Sequence, residues 1–125
     1  MFLLALSIFI IGACSAQKLA DSTAKGQAVS QQDGEFKEFK MTAKQFAFEP
    51  STIEVNKGDR VRLIVTSTDV PHGIAIPEYA INEKLDPGKP KTIEFTAVKS
   101  GTFKTFCSVF CGPEHGAMKG SIVVK

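Results

Sequence analysis

The sequence predicts an all-β, Greek-key β-sandwich over residues 35–125, and three observations support this prediction. Short apolar runs alternate with polar residues at the period of two that is typical of strands. Turn signals rich in Gly, Pro, Asn and Asp separate these runs. No part of the region has the 3.6-residue apolar period that indicates a long helix. About seven or eight short strands in one domain favour a sandwich with Greek-key connections.

The individual strands follow from this alternation. Residues 52–55 alternate between polar and apolar side chains, and the Asn-Lys-Gly-Asp turn at 56–59 ends the run. In the next strand Val61, Leu63 and Val65 share one face, while Ile64 on the other side predicts a strand covered on both faces. Further strands are predicted at 79–85, 92–96, 102–106 and 120–124, with strong turn signals at 86–88 and 100–101.

Length and composition limit the classes of function. The 125 residues have room for one domain, and 43% apolar with 22% charged residues is typical of a folded domain. The formal net charge of +2 argues against a nucleic-acid-binding protein, which usually carries a strong basic excess. The chain has three Cys, so at least one lies outside any intramolecular disulfide.

Residues 1–14 predict export and a lipid anchor. Residues 2–11 are apolar except for Ser7, and a run of about ten is too short to cross a bilayer but suits a signal peptide. The segment Ile11-Gly12-Ala13-Cys14 resembles the bacterial lipobox, so we expect lipidated Cys14 to hold the exported chain at the outer face of a bacterial cytoplasmic membrane. An ordinary signal peptide, or a short helix with a chance Cys, is the alternative. No Lys or Arg precedes the apolar run, so we expect the true start upstream.

Residues 15–34 predict a flexible tether between the signal and the domain at 35–125. They hold four Gln, four Ala, three Ser, two Lys and two Asp, with almost nothing to bury. A leash that lets the domain reach partners and a plain spacer are both compatible with this composition.

Soft metal donors are concentrated near the C-terminus. Cys107, Cys111, His115 and Met118 fall within twelve residues, and His72 lies 35 residues before Cys107. Thiols, imidazoles and a thioether together favour copper over hard cations. Both His lie in loop-like segments, and a sandwich clusters its loops at two ends. We therefore expect His72 to meet the 107–118 segment at one end of the domain.

Two other uses of these residues stay open at this point. Cys107 and Cys111 would be able to form a disulfide outside the cytoplasm. Two Cys and two His would also make a closed zinc site, although the Cys-x3-Cys-x3-His spacing is unlike the usual zinc patterns and leaves Met118 without a role.

The region from Thr42 to Lys125 resembles the copper A domain of cytochrome c oxidase subunit II, which is a cupredoxin. The paired-Cys run, combined with the upstream Asp-Val-x-His-Gly, is a highly specific signature. The matching segments are Phe-Ala-Phe-Glu-Pro at 46–50, Thr-Ser-Thr-Asp-Val-Pro-His-Gly at 66–73, Leu-Asp-Pro-Gly at 85–88, Cys-x3-Cys-x3-His-x2-Met at 107–118 and Gly-Ser-Ile-Val-Val at 120–124.

The resemblance implies electron transfer through two copper ions bridged by the thiolates of Cys107 and Cys111. It implies four further ligands, namely His72, His115, the thioether of Met118 and the backbone carbonyl of Val109. The implied partners are a cytochrome c-type donor and subunit I of a haem–copper oxidase. Phe106 and Phe110 flank the Cys ligands, and we expect them to keep water from the centre, with a role as ordinary core side chains as the alternative.

Two features depart from the resemblance. Subunit II normally has one or two transmembrane helices before this domain, whereas a lipobox and tether precede it here. Many relatives carry a Trp-rich segment for cytochrome c, and this chain has no Trp. Two other functions therefore stay open. One is a mononuclear blue-copper carrier that uses His72, Cys111, His115 and Met118, and the other is a copper-binding or copper-delivery lipoprotein. No Ser-His-Asp set, carboxylate pair or phosphate loop predicts independent catalysis.

Overall fold

A computed structural model describes residues 34–125, which form nine strands and two short 3-10 helices. The strands are β1 Phe36–Lys44, β2 Ala47–Glu49, β3 Thr52–Val55, β4 Arg60–Ser67, β5 His72–Ile76, β6 Ile81–Leu85, β7 Lys91–Thr96, β8 Gly101–Phe106 and β9 Lys119–Val124. The 3-10 helices cover Pro77–Tyr79 and His115–Ala117. The predicted signal, Cys14 and nearly all of the tether lie outside the described residues. Within 34–125, no helix has the length and apolar character needed to cross a membrane.

The strands form two mixed sheets that pack against each other. One has four strands in the order β2-β1-β4-β7, and the other has five in the order β3-β9-β8-β5-β6. β1 pairs in parallel with β4, and β3 pairs in parallel with β9, while the other pairs are antiparallel. The prediction of an all-β sandwich is confirmed.

One apolar core joins the two sheets. Burial of a large aliphatic side chain contributes roughly 1.5–3 kcal/mol, so this shared core is the main source of stability. From the four-stranded sheet it takes Met41, Val61, Leu63, Val65 and Ile93, and from the five-stranded sheet Ile53, Ile74, Ile76, Leu85 and Ile122.

In β4 the alternation of apolar and polar residues predicts the burial of one face correctly and that of the other face incorrectly. Val61, Leu63 and Val65 are buried, as their spacing predicts. The expectation that the strand is covered on both faces is wrong, because Ile64 is only half-buried. On this outer face Ile64 lies between Lys40 of β1 and Thr92 of β7 in the sheet register, and no second layer covers it among the described residues.

Three strands were not predicted, and one of them carries a candidate ligand. His72 was placed in a loop, but it is the first residue of β5. Every residue of β5 is buried, so the strand lacks the alternation that identifies a half-exposed strand. The other two are β1 and β2. The predicted strand at 79–85 is shorter, since Pro77–Tyr79 forms a 3-10 helix and β6 begins at Ile81.

Candidate metal centre

The structure brings the predicted donors together in two half-sites, each built around one thiol. In the first, the Cys107 Sγ lies 3.7 Å from Nδ1 of His72 and 3.1 Å from the carbonyl oxygen of Val109. The ligand atoms of His72, Cys107 and Cys111 all lie within 4.8 Å of one another, and all three residues are buried.

The second half-site surrounds Cys111. Its Sγ lies 3.6 Å from Nδ1 of His115 and 3.9 Å from Sδ of Met118. The two half-sites are joined through the thiols, whose sulfur atoms are 3.7 Å apart. Cys107 and Cys111 are both free thiols, so the structure does not contain the alternative disulfide.

These separations suit donors that share a metal ion. Two ligand atoms at about 2.0–2.3 Å from one ion lie about 3.3–3.8 Å apart at tetrahedral angles. The set offers more donors than the four that a closed zinc site uses. Two thiols and two imidazoles with a thioether are also the soft and borderline donors that select copper. The residues present therefore fit copper.

Backbone hydrogen bonds close the 107–118 segment into a compact loop. The amide of Cys107 donates to the carbonyl of Met118 at 3.0 Å, and the amide of Met118 donates to His115 at 3.1 Å. Gly112 has φ of +140°, and a Cβ there would lie 2.9 Å from the ring of Phe46. The segment therefore needs glycine at this point, and its donors are held by main-chain bonds rather than by side-chain packing alone.

A carboxylate fixes the orientation of the buried imidazole. The His72 Nε2 lies 2.7 Å from Oδ1 of Asp69, and the His72 side chain is completely buried. A hydrogen bond from Nε2–H to this carboxylate leaves Nδ1 as the nitrogen that faces Cys107 with a lone pair. Carboxylate partners of this kind orient metal-binding histidines and raise their basicity.

Asp69 is itself held by backbone amides. The amides of Gln45 and Val70 donate to its carboxylate at 2.7 and 2.6 Å. Burial acts to raise the pKa of Asp69, but the hydrogen bonds from Gln45, Val70 and His72 outweigh it and lower the pKa below its usual value. Asp69 is therefore a stable anion next to His72.

Gln45 links the two ligand-bearing segments. Its backbone amide donates to Asp69, and its side-chain amide donates to the carbonyl of Cys111 at 2.5 Å. The connection between β1 and β2 thus contacts both the segment before His72 and the Cys loop. Sequence reasoning missed both roles. Asp69 had a usable signal, a carboxylate three residues before a candidate ligand, whereas nothing in the sequence marked Gln45.

Without metal, the environment of Cys111 favours the protonated thiol. Burial, followed by the neighbouring Cys107, raises the pKa of Cys111 to about 11. Because the thiolate is the form that binds metal, metal binding at Cys111 must displace this proton.

The expectation that Phe106 and Phe110 keep water from the centre is wrong. Phe110 is 77% exposed and Phe106 is 39% exposed. Phe110 lies on the surface with its ring centroid 5.8 Å from that of His115, which is itself half-buried. Water is excluded on the inner side, where His72 and Met118 are fully buried.

Comparisons with known proteins identify relatives of this chain. The chain is 36% identical over 80 residues to cytochrome c oxidase subunit 2 of Thermus thermophilus, which covers 64% of this chain and 59% of that protein. It is 34% identical over 90 residues to nitrous-oxide reductase of Cupriavidus necator, which covers 69% of this chain and 14% of that protein. The chain therefore spans less than two thirds of the curated relatives it matches.

Solved structures share the fold. The periplasmic domain of cytochrome oxidase subunit II (CoxB) of Bradyrhizobium japonicum superposes with a TM-score of 0.65 at 24% identity, over 70% of this chain and 83% of that one. A chain of a heme-copper terminal oxidase dimer gives a TM-score of 0.66 at 28% identity, over 78% of this chain and 68% of that one. The family model described as a cupredoxin-like domain matches residues 3–124. This chain therefore belongs to the cupredoxin family.

Proposed function

We propose that this domain transfers electrons through a dinuclear, copper A-type centre. The supporting observation is that two thiols lie 3.7 Å apart and that each has its own imidazole nitrogen within 3.7 Å. The proposed ligands are His72, Cys107, the carbonyl of Val109, Cys111, His115 and Met118. When bound, a pair of copper ions takes up and gives back one electron.

The residues of the chain make this exchange easy by moving little. The loop hydrogen bonds hold Cys107 and Met118 in place, and Asp69 holds the ring of His72. Ligands that keep their positions in both redox states lower the energy needed to reorganise the site. Because His72 and Met118 are fully buried, solvent dipoles do not have to rearrange on that side either.

The test is the copper count and the spectrum of the purified protein. Two copper ions per chain are expected, with a paramagnetic resonance spectrum in which one electron is shared by two copper nuclei. A blue protein with one copper and a four-line spectrum would instead favour the mononuclear carrier. Binding of Cu(I) without reversible oxidation would favour a delivery protein.

The remaining proposals concern organisation, location and partners. We propose a signal over residues 1–14 that is anchored through Cys14, a tether over 15–34 and an electron-transfer domain over 35–125. The protein would then lie at the outer face of a bacterial cytoplasmic membrane. Its partners would be a cytochrome c-type donor and an oxidase subunit I, in line with the oxidase subunit 2 relatives.

The anchor has its own test. Protein from the membrane fraction should partition into the detergent phase, and Cys14→Ser should abolish this partitioning. Continued membrane association of the Cys14→Ser protein would favour a transmembrane segment upstream of the given sequence.

A further inference from the structure

A cleft opens at the surface directly beside the candidate centre. Its walls include Cys107, His115 and Met118 from the centre, together with Phe106 and Lys119. An adjoining cleft shares Phe106 and Lys119 and adds Lys104. The two clefts share Phe106 and Lys119 as lining residues, and we call the surface that they form together the lysine face. On this side the half-buried imidazole of His115 approaches solvent, whereas the imidazole of His72 is fully buried.

The lysine face has an exposed aromatic border. Phe106 and Phe110 are two of the four large apolar side chains that are exposed within residues 34–125. Phe110 contacts the His115 side, and Phe106 lines both clefts. Exposed apolar side chains that gather at one place, with polar residues around them, mark contact surfaces more often than single ones do.

The charged side chains that line the two clefts are Lys104 and Lys119, and neither has an ion-pair partner among residues 34–125. Phe106 pairs with Lys119 across the β8–β9 ladder, and Lys104 lies two residues before Phe106, on the same side of β8. In the described part of the chain, neither lysine forms an ion pair, whereas Lys84, Lys91 and Lys125 do. The only carboxylate in the 107–118 segment is Glu114, which is exposed and adjacent to His115.

We propose that the lysine face docks an acidic electron-transfer protein, an inference that rests on the proposed function. Carboxylates of the partner would match Lys104 and Lys119, and an apolar patch would cover Phe106 and Phe110. One electron passes from the reduced partner to the oxidised domain through the His115 side, and no bond forms or breaks. The lysines steer the encounter, while the aromatic contact holds the complex close to the centre.

The experiment is a stopped-flow measurement on the copper-loaded full chain in detergent. The probes are two reduced c-type cytochromes, one with net negative and one with net positive charge, each tested over a series of salt concentrations. The test variant carries Lys104→Glu and Lys119→Glu. The control carries Lys40→Glu and Lys89→Glu, which change the net charge equally at two lysines that also lack ion pairs but lie outside the lysine face.

The acidic cytochrome should react faster with the native protein, and its rate should fall as salt rises. The test variant should slow this reaction by about tenfold or more at low salt and remove the salt dependence, whereas the control should slow it by about twofold or less. The copper count and spectrum should be unchanged in both. If the native protein does not show the two-copper spectrum, the proposed function is contradicted. If the spectrum is present but the lysine variant reacts with the acidic cytochrome as fast as the native protein does, only this inference is contradicted.

Three results would overturn the docking proposal. The first is equal slowing by the test and control variants, and the second is a faster reaction of the native protein with the basic cytochrome. The third is a different occupant of the face. Anionic vesicles that retain Cys14→Ser protein but not its Lys104→Glu/Lys119→Glu form would assign the face to a membrane. A dimer of the native protein that Phe110→Ser dissociates would assign it to a second copy.

Discussion

The two imidazoles of the candidate centre have opposite surroundings. His72 is fully buried and begins β5, which lies between β8 and β6 in its sheet. Its Nε2 is hydrogen-bonded to Asp69. His115 is half-buried, lies in a short 3-10 helix and, among residues 34–125, has no carboxylate partner. Its neighbour is the ring of Phe110, which solvent largely surrounds.

This difference separates two tasks that one centre must perform. A ligand that is buried and hydrogen-bonded fixes the geometry, because its ring cannot turn without losing a charged partner. A ligand at the surface gives electrons a short route in and out. The comparison predicts that substitutions on the His72 side mainly change whether the centre assembles, whereas those on the His115 side leave an accessible space that other donors can fill.

The largest effect should come from the two thiols, because one of them lies at the centre of each half-site. Cys107→Ser and Cys111→Ser each remove one of the two sulfur atoms that join the half-sites, and a hydroxyl is a much poorer ligand for a soft metal. Neither variant should keep the two-copper spectrum, as measured by paramagnetic resonance and copper analysis. Ser108→Ala, which removes only a hydrogen bond to Asn82, is the control and should keep both. A retained two-copper spectrum in either Cys variant would contradict the proposed bridge.

The alanine variants of the two histidines should differ in whether added imidazole restores the native spectrum. His72→Ala and His115→Ala should both lose the native spectrum, but added imidazole should restore it only in His115→Ala, because the cleft reaches that position. His72→Ala also removes a completely buried side chain and leaves a cavity, so the free energy of unfolding should fall by more than in His115→Ala, where the side chain is only half-buried. Spectra with and without imidazole, and denaturant unfolding, measure the two effects.

Two results would oppose this comparison. If added imidazole restored the spectrum equally in His72→Ala and His115→Ala, the two positions would be equally accessible from solvent. An unchanged spectrum and copper count in His72→Ala would mean that the centre is not assembled from two separate segments.

The sequence was sufficient for the residues whose chemistry or spacing is unusual. The donor types between Cys107 and Met118 indicated copper, and alternation gave β3, β4, β7, β8 and β9 to within about a residue or two, the normal uncertainty of element ends. These features are local, since each is read from a short stretch of chain without knowledge of its neighbours.

What the sequence left out depends on contacts between distant segments. β5 has no alternation because neighbours cover both of its faces. Gln45 acquires its role only when the fold brings it to Cys111, which is 66 residues away. Phe110 reads as a core residue by type, but its position at the outer end of the loop exposes it. No local pattern contains this information.

A smaller effect is expected from the carboxylate that holds His72. Asp69→Asn keeps the size of the side chain but removes its charge, so the bond to His72 Nε2 weakens while the two backbone bonds can be partly kept. The variant should still assemble a two-copper centre, with copper affinity lowered by about 10–100-fold, as measured by competition with a chelator. Asp86→Asn, at an exposed ion pair with Lys84, should leave the affinity unchanged. An unchanged affinity in Asp69→Asn would remove the distinction between a held and an exposed imidazole.

The smallest effects should separate a side-chain ligand from a main-chain one. Met118→Leu replaces a fully buried thioether by a side chain of similar volume, so the stability should fall by less than about 1.5 kcal/mol. Both copper ions should remain, because the thiols and imidazoles are intact, and the reduction potential should shift, since weak axial ligands tune it. Val109→Ala keeps the carbonyl that lies 3.1 Å from Cys107, so the potential measured by redox titration should hardly change. A larger shift in Val109→Ala than in Met118→Leu would show that the Val109 side chain, which lies against Gly73, positions the loop more than the thioether tunes the metal.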